Sequence, residues 1–229
     1  MLTDFEIQAI SLSLKVAVSS VTFSLPLALF FAWLLARSRF IGKPILDAII
    51  HLPLVLPPVV IGYLLLISFS STGFIGIFLK QNLNIDISFS WQGAALASAI
   101  VSFPLMVRAI RQSLEAVDYK LEQAASTLGA SKVKVFITIT LPLISPGILS
   151  AVILGFARSL GEFGATITFV SNIPEATRTI PLAMYSFIQT PGAEMQALRL
   201  CILAITIALV ALIASYWLEN KLRPASGRS

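Results

Sequence analysis

Apolar residues run along this chain in blocks, and five of the blocks have the length of a membrane helix. A bilayer-spanning helix needs about 20 mainly apolar residues. The blocks cover residues 12–36, 48–69, 91–107, 144–170 and 197–217. The third is short, and the fourth contains Arg158 and Glu162. Lys15 sits near the start of the first, where its long stem can carry the ammonium to the interface. The pattern predicts an all-α, polytopic membrane protein of about five transmembrane helices. No repeat, low-complexity tract or separate polar domain interrupts it, so residues 1–229 read as one membrane domain.

One connector breaks the oily pattern. Residues 121–147 read LEQAASTLGASKVKVFITITLPLISPG. Leu114, Val117, Leu121, Ala124, Ala125 and Leu128 recur at three- and four-residue steps, the apolar stripe of one helix. Glu115, Asp118, Lys120, Glu122 and Gln123 fall largely between them. Gly129 stands where a helix ends in a left-handed residue. Ser131 is placed to cap a second short helix, KVKVFITI. Pro142 and Pro146 mark an expected turn into the fourth span. A helix–Gly–helix elbow over residues 112–140 results. One reading lays it on lipid. The favoured one docks it against a partner protein, because its stripe is narrow and Ala-rich and its charged face is mixed rather than basic.

Composition supports the membrane assignment. Hydrophobic residues make up 57% of the 229, charged residues only 12%, and the mean hydropathy is +0.90. Soluble domains carry about twice that charge fraction. The net charge of +5 suggests nucleic acid until its distribution is followed. Arg37, Arg39 and Lys43 lie in the first connector, and Arg108, Arg111, Lys120, Lys132 and Lys134 in the third. Lys221, Arg223 and Arg228 lie in the tail. Eleven of the sixteen basic residues thus fall on one side. The positive-inside rule then predicts an outer (periplasmic) N-terminus, a cytoplasmic C-terminus and a cytoplasmic elbow. No nucleic-acid partner is expected, and the lipid bilayer is. The acidic start, MLTDFEIQ, does not resemble a cleavable signal.

Little in the chain suggests catalysis. It has no GxxxxGK[ST] phosphate loop, no HExxH and no paired intramembrane aspartates. His51 is a lone histidine at a span end and reads as a structural hydrogen-bond partner. Cys201 is a lone thiol in an apolar run, which makes neither a disulfide nor a metal cluster. No metal or cofactor is expected in this chain. Pro53, Pro57 and Pro58 in the second block, with Pro26 and Pro104 elsewhere, predict bent helices, either around a path or as ordinary membrane-helix prolines.

The intramembrane ionisable residues are the candidate path. Arg158 and Glu162 share one helix face at i, i+4, and Gly161 and Gly164 beside them allow a bend or a close helix contact. Charges at membrane depth cost about 2.5–3.5 kcal/mol each on insertion scales and mark functional sites by default. Two readings stand together: a self-neutralising pair against a neighbouring helix, or part of a passage or gate. The connector TRTIPLAMYSFIQTPGAE has two as well: a short helix over the outer end of the path, or a loop on the headgroups.

The motif QAASTLG, followed after nine residues by ITLP, resembles the "EAA" loop of permease subunits of ATP-binding-cassette importers. Ala124, Ala125, Gly129, Ile139, Leu141 and Pro142 match that pattern, and Gln123 stands where it has Glu. HLPLVLPPVVIGY, SFPLMVRAIR and ARSLGEFGATITFVSNIP extend the resemblance to bacterial molybdate importer permeases, with sulfate permeases similar but looser. The resemblance implies the type I importer permease fold and a bacterial inner-membrane location. It also implies a second copy of the chain, two cytoplasmic ATP-binding subunits that hold ATP and Mg, and a periplasmic oxyanion-binding protein. The elbow would then couple to the ATPases. The alternatives are a sulfate or thiosulfate permease of the same kind and a stand-alone secondary transporter. A membrane enzyme is disfavoured by the missing catalytic set.

Overall fold

The computed structural model describes residues 3–222, and every regular element there is helical. Thr3 opens the first helix, α1 (Asp4–Arg37), with a capping box: its hydroxyl accepts from the Glu6 N–H, and Glu6 accepts from the Thr3 N–H. The long spans are α1, α5 (Trp91–Ala116), the run from Lys132 to Leu160, and α11 (Glu194–Leu222). Lys15 on α1 lies 3.7 Å from the centre of the Trp91 ring, a cation–π contact.

The second expected span is not one helix. It divides into α2 (Lys43–Val55) and α3 (Pro58–Phe69), which meet at 110°. Leu56 before Pro57 is extended, as steric clash with a following proline ring demands. Pro58 has no N–H and starts α3, so the helix ladder cannot run through. Pro26 and Pro104, by contrast, lie inside helices that continue past them. With the bent pair counted once, five segments can cross a membrane.

The elbow region differs from expectation in two ways. The stripe from Leu114 to Leu128 is not one helix: α5 ends at Ala116, Val117 is extended, and Asp118 caps α6 (Tyr119–Thr127) by accepting from the Lys120 N–H. Nor does the chain turn at Pro142 or Pro146. Helix α7 (Lys132–Val135) passes through one π turn, Phe136–Thr140, directly into α8 (Leu141–Leu160). The Leu141 N–H bonds back to the Phe136 carbonyl, five residues away. Pro142 offers no N–H for a regular turn there, and the widened turn absorbs the defect.

The fourth span also ends early. Block 144–170 breaks at Gly161, and Gly164–Val170 forms a separate helix, α9, packed on α3 and α5. Arg158 therefore sits in the last turn of a span rather than at its middle. Two elements complete the chain: α4 (Phe74–Leu83), which the sequence pattern did not mark, and α10 (Ile180–Ile188), a short helix in the connector that the sequence left open between helix and loop.

Three apolar clusters hold the bundle. Leu35, Met106, Ile110, Leu114 and Ile144 join α1, α5 and α8. Val16, Ile61, Val101 and Phe169 join α1, α3, α5 and α9. Ala9, Ile180 and Leu200 join α1, α10 and α11. Close approach rests on small residues, as in other membrane bundles. A Cβ on Gly155 would lie 2.7 Å from Met106 Sδ, and one on Gly147 would strike the Ser113 side chain. The exposed large side chains, such as Phe23, Trp33, Ile205 and Leu209, form the surface that lipid or another subunit must cover.

Candidate functional site

Two places carry the sequence candidates. The first is the elbow. Gly129 has φ +85°, the left-handed conformation expected at the end of α6. The Gly129 N–H donates to the Ser126 carbonyl and the Ala130 N–H to the Ala125 carbonyl, each at 3.1 Å. These two bonds are the Schellman closure. Ser131 then caps α7 through the Lys134 N–H. Within a few residues the chain ends one helix and starts another.

The elbow exposes large apolar side chains among polar ones such as Lys120, Ser126, Lys132 and Lys134. Leu121, Leu128, Val133 and Ile137 are exposed, Leu128 at 88%. Gln123 and Ala124 are exposed beside them, and Ala125 is half-buried. Ile139 and Leu141 are half-buried, Leu141 against the α1–α5–α8 cluster, while Pro142 is exposed on the first turn of α8.

A polar knot that sequence reasoning missed ties the elbow to the bundle. Glu122 Oε1 accepts from Arg37 Nη2 and from the Thr140 hydroxyl, each at 2.9 Å. The Arg37 guanidinium also lies over the Tyr119 ring at 5.6 Å. One carboxylate thus joins the end of α1, α6 and the π turn. The nearest sequence signal was Glu122 standing one place before Gln123. Nothing in the spacing pointed to Arg37, which is 85 residues away.

The second place is the break after α8. Arg158 Nη1 lies 2.7 Å from Glu162 Oε2, so the expected pair is formed. The contact lacks hydrogen-bond alignment, and no other described donor reaches Oε2. Glu162 Oε1 accepts from the Ala165 N–H at 2.8 Å and so fixes the start of α9. The Glu162 side chain is 1% exposed and that of Arg158 31%. Gly161 bends the chain in open space. Gly164 serves contact instead, since a Cβ there would lie 2.8 Å from Pro58 Cβ. The two helix breaks, Leu56–Pro58 and Gly161–Phe163, therefore face each other. Gly62 continues the contact, with its Cβ position 2.5 Å from the Ala165 carbonyl oxygen.

Beside Arg158 lies a buried hydroxyl chain that the sequence pattern also concealed. Ser159 Oγ on α8 is 2.7 Å from Ser20 Oγ on α1, and donates to Ser102 Oγ on α5 at 3.3 Å. Near the end of α8, where the Phe163 and Tyr185 rings lie 5.1 Å apart, α10 docks through its Ile180 N–H to Ser13 of α1, and Arg178 donates to Asn172 at 2.9 Å and stacks on Phe5. Burial draws the Arg178 guanidinium below its ordinary pKa. Among the described residues, no group of three His, Cys, Asp or Glu is placed to hold a metal ion.

Comparison with known proteins agrees with this architecture. A model of the family "binding-protein-dependent transport system inner membrane component" matches residues 24–224. The molybdenum transport system permease protein ModB of Haemophilus influenzae is 64% identical over 223 residues, with 97% of each chain covered. The sulfate transport system permease protein CysT of Salmonella typhimurium is 38% identical over 207 residues, covering 89% of this chain and 74% of that one. Among solved structures, a bacterial ABC transporter involved in import of the acidic polysaccharide alginate superposes with a TM-score of 0.78 at 19% identity, covering 97% of this chain and 82% of that one.

Proposed function

Because the chain belongs to the family of inner-membrane components of binding-protein-dependent transport systems, we propose that it is the membrane-spanning permease subunit of an ATP-driven importer of molybdate. The observation that carries the substrate is the 64% identity to a molybdenum permease along nearly the full length of both chains, against 38% to a sulfate permease. Tungstate, which has the same tetrahedral oxyanion form, is the expected competitor.

In this reading the chain catalyses nothing. Two ATP-binding subunits hold ATP and Mg and dock on the exposed apolar face of the elbow, around Leu121, Ala124, Leu128 and Val133. Gln123, Ala125, Gly129, Ile139, Leu141 and Pro142 set the elbow's shape. A second copy of the chain completes the transmembrane unit, and a periplasmic oxyanion-binding protein delivers substrate. The path runs past the facing helix breaks, where Gly164 meets Pro58, beside Arg158, Gly161 and Glu162. Irregular backbone at membrane depth is tolerated where it is buried in protein or lines a cavity. ATP-driven movement of the elbow shifts α8 through the π turn, and alternating access follows.

The orientation is N-terminus outside and elbow inside, supported by the basic bias. Ser131→Cys in a Cys201→Ala background tests it: an impermeant thiol reagent should label the elbow only from the cytoplasmic side. Function is tested by uptake into vesicles holding the permease, its ATPase and its binding protein. Molybdate should accumulate only with ATP inside the compartment of the ATPase, and tungstate should compete better than sulfate. Uptake without ATP would mark a secondary transporter instead.

A further inference from the structure

Away from the helix breaks, a polar cleft of ≈ 410 Å³ opens between α2 and α5. Asp47, His51, Arg108, Arg111, Gln112 and Glu115 line it. Its place along the chain is telling. It flanks α2 between Lys43, at the basic end, and the break at Leu56–Pro58, where the proposed path lies.

Most of the lining is already satisfied. Arg111 Nη1 lies 3.0 Å from Asp47 Oδ1, and its Nε lies 2.8 Å from Glu115 Oε1. His51 Nδ1 is 2.9 Å from the Asp47 carbonyl oxygen and 3.2 Å from its Oδ1. Both carboxylates, Arg111 and one imidazole nitrogen are thereby engaged with one another. Arg108 and Gln112 are not. They sit one turn apart on α5, are exposed to the same cleft, and make no hydrogen bond or ion pair with any described residue.

An unpaired guanidinium beside a free amide is chemistry for an oxyanion. The guanidinium offers N–H pairs that match two oxygens at once, and the amide adds a further donor. The Asp47 and Glu115 carboxylates oppose an anion, but Arg111 lies between them and screens both. Attraction through Arg108 with partial opposition from two carboxylates gives weak, brief binding. A passage needs that, because a site that binds tightly does not release.

We propose that this cleft is a low-affinity transit site for the imported oxyanion, between the helix breaks and the basic face, with Arg108 and Gln112 as the anion-contacting groups. The proposal rests on the oxyanion-import reading above. Its lining residues lie on α2 and α5, with Gln112 and Glu115 in the last turns of α5, ahead of the elbow helices α6 and α7.

The test uses the complete transporter in inside-out vesicles, with Gln112→Cys in a Cys201→Ala background. Molybdate should slow modification of the new thiol by a neutral maleimide, and chloride at equal ionic strength should not. Adding Arg108→Gln should remove the protection, and Arg108→Lys should keep part of it. In the otherwise native chain, Arg108→Gln should lower ATP-driven molybdate uptake about tenfold, equivalent to ~1.4 kcal/mol in the transit barrier, with the ATPase still bound. Protection equal to that by chloride, or protection unchanged by Arg108→Gln, would overturn the site even if the parent transporter imports molybdate normally. A parent transporter that imports no oxyanion would overturn both the site and the function on which it rests. Should Arg108→Gln fail to assemble, Arg108→Lys decides: protection equal to the parent's by a compact ammonium would show that the guanidinium is not the contact.

Discussion

Glu122 on the elbow and Arg37 at the end of the first helix are held at 2.9 Å, and the same carboxylate oxygen takes the Thr140 hydroxyl. The elbow is therefore fastened to α1 as well as continuous with α8. A push on α6 reaches two spans at once. The pair is largely buried, with side-chain exposures of 18% and 15%, so solvent screens it less than a surface pair.

From this knot follows the first prediction. Glu122→Gln or Arg37→Met alone should each lower thermal stability in detergent, and the double change should cost less than the two added. The coupling should be about 0.5–3 kcal/mol, the range for residues in one network. A merely structural knot would spare the ratio of molybdate moved to ATP hydrolysed. A knot that transmits motion should lower that ratio in both single variants. Additive losses in a double-mutant cycle would remove Glu122 from the network.

The Arg158–Glu162 pair should respond unequally. Arg158→Met leaves a carboxylate that is 1% exposed with the Ala165 N–H as its remaining partner. Breaking a buried pair in this way costs about 3–5 kcal/mol. Glu162→Gln leaves Arg158, which is 31% exposed and has a long stem with which to reach a wetter surrounding. It should be the milder change, and the double variant should fall short of the sum. Equal losses from the two single variants would mean that Glu162 is not the buried member that dictates the cost.

Much of this was legible in the sequence because hydrophobic length and proline position act locally. Each of the five apolar blocks contributed to a candidate span, and the Pro57–Pro58 step became a break because two adjacent residues there lack N–H groups. The Gly129 cap followed from spacing alone. Three features were hidden. The stripe at 114–128 hid the break at Val117, because Asp118 as a cap overrides a continued apolar pattern. The apolar block 144–170 hid the division between α8 and α9, because a short buried helix is as apolar as a span. The partners of Glu122 and the hydroxyls of Ser20, Ser102 and Ser159 depend on which helices meet, which no local pattern encodes.

The two glycines at the second break should behave differently. Gly164→Ala places a methyl 2.8 Å from Pro58 Cβ, in the contact that brings the two breaks together. Overpacking of this kind costs about 1–3 kcal/mol. Gly161→Ala meets nothing closer than 3.7 Å and has φ −90°, so it should be nearly neutral. Thermal unfolding of the two variants in one detergent checks the difference. Equal stability would show that the α3–α9 contact tolerates a methyl group and that the breaks are not held in register there.

Gly129 is a purer case, because its substitution meets no crowding at all. Nothing lies within 4 Å of where its Cβ would stand, and its φ is +85°. Any cost of Gly129→Val is therefore a cost of backbone conformation. A left-handed residue with a Cβ costs about 1–2 kcal/mol, and a β-branched side chain sits at the upper end. The chain has two ways to respond. It can keep the Schellman bonds of Gly129 and Ala130 and accept the strain, or release them and re-aim α7. Gly129→Asn separates these outcomes, since asparagine tolerates the left-handed region while filling the same open space. The expected result is a Gly129→Val protein that reaches the membrane with its spans inserted, binds its ATPase poorly and imports little molybdate. Gly129→Asn should recover most of both. If valine and asparagine impair docking equally, the left-handed turn is not what matters, and the loss comes from covering the exposed apolar face beside Leu128. If neither impairs it, the elbow does not transmit the ATPase stroke.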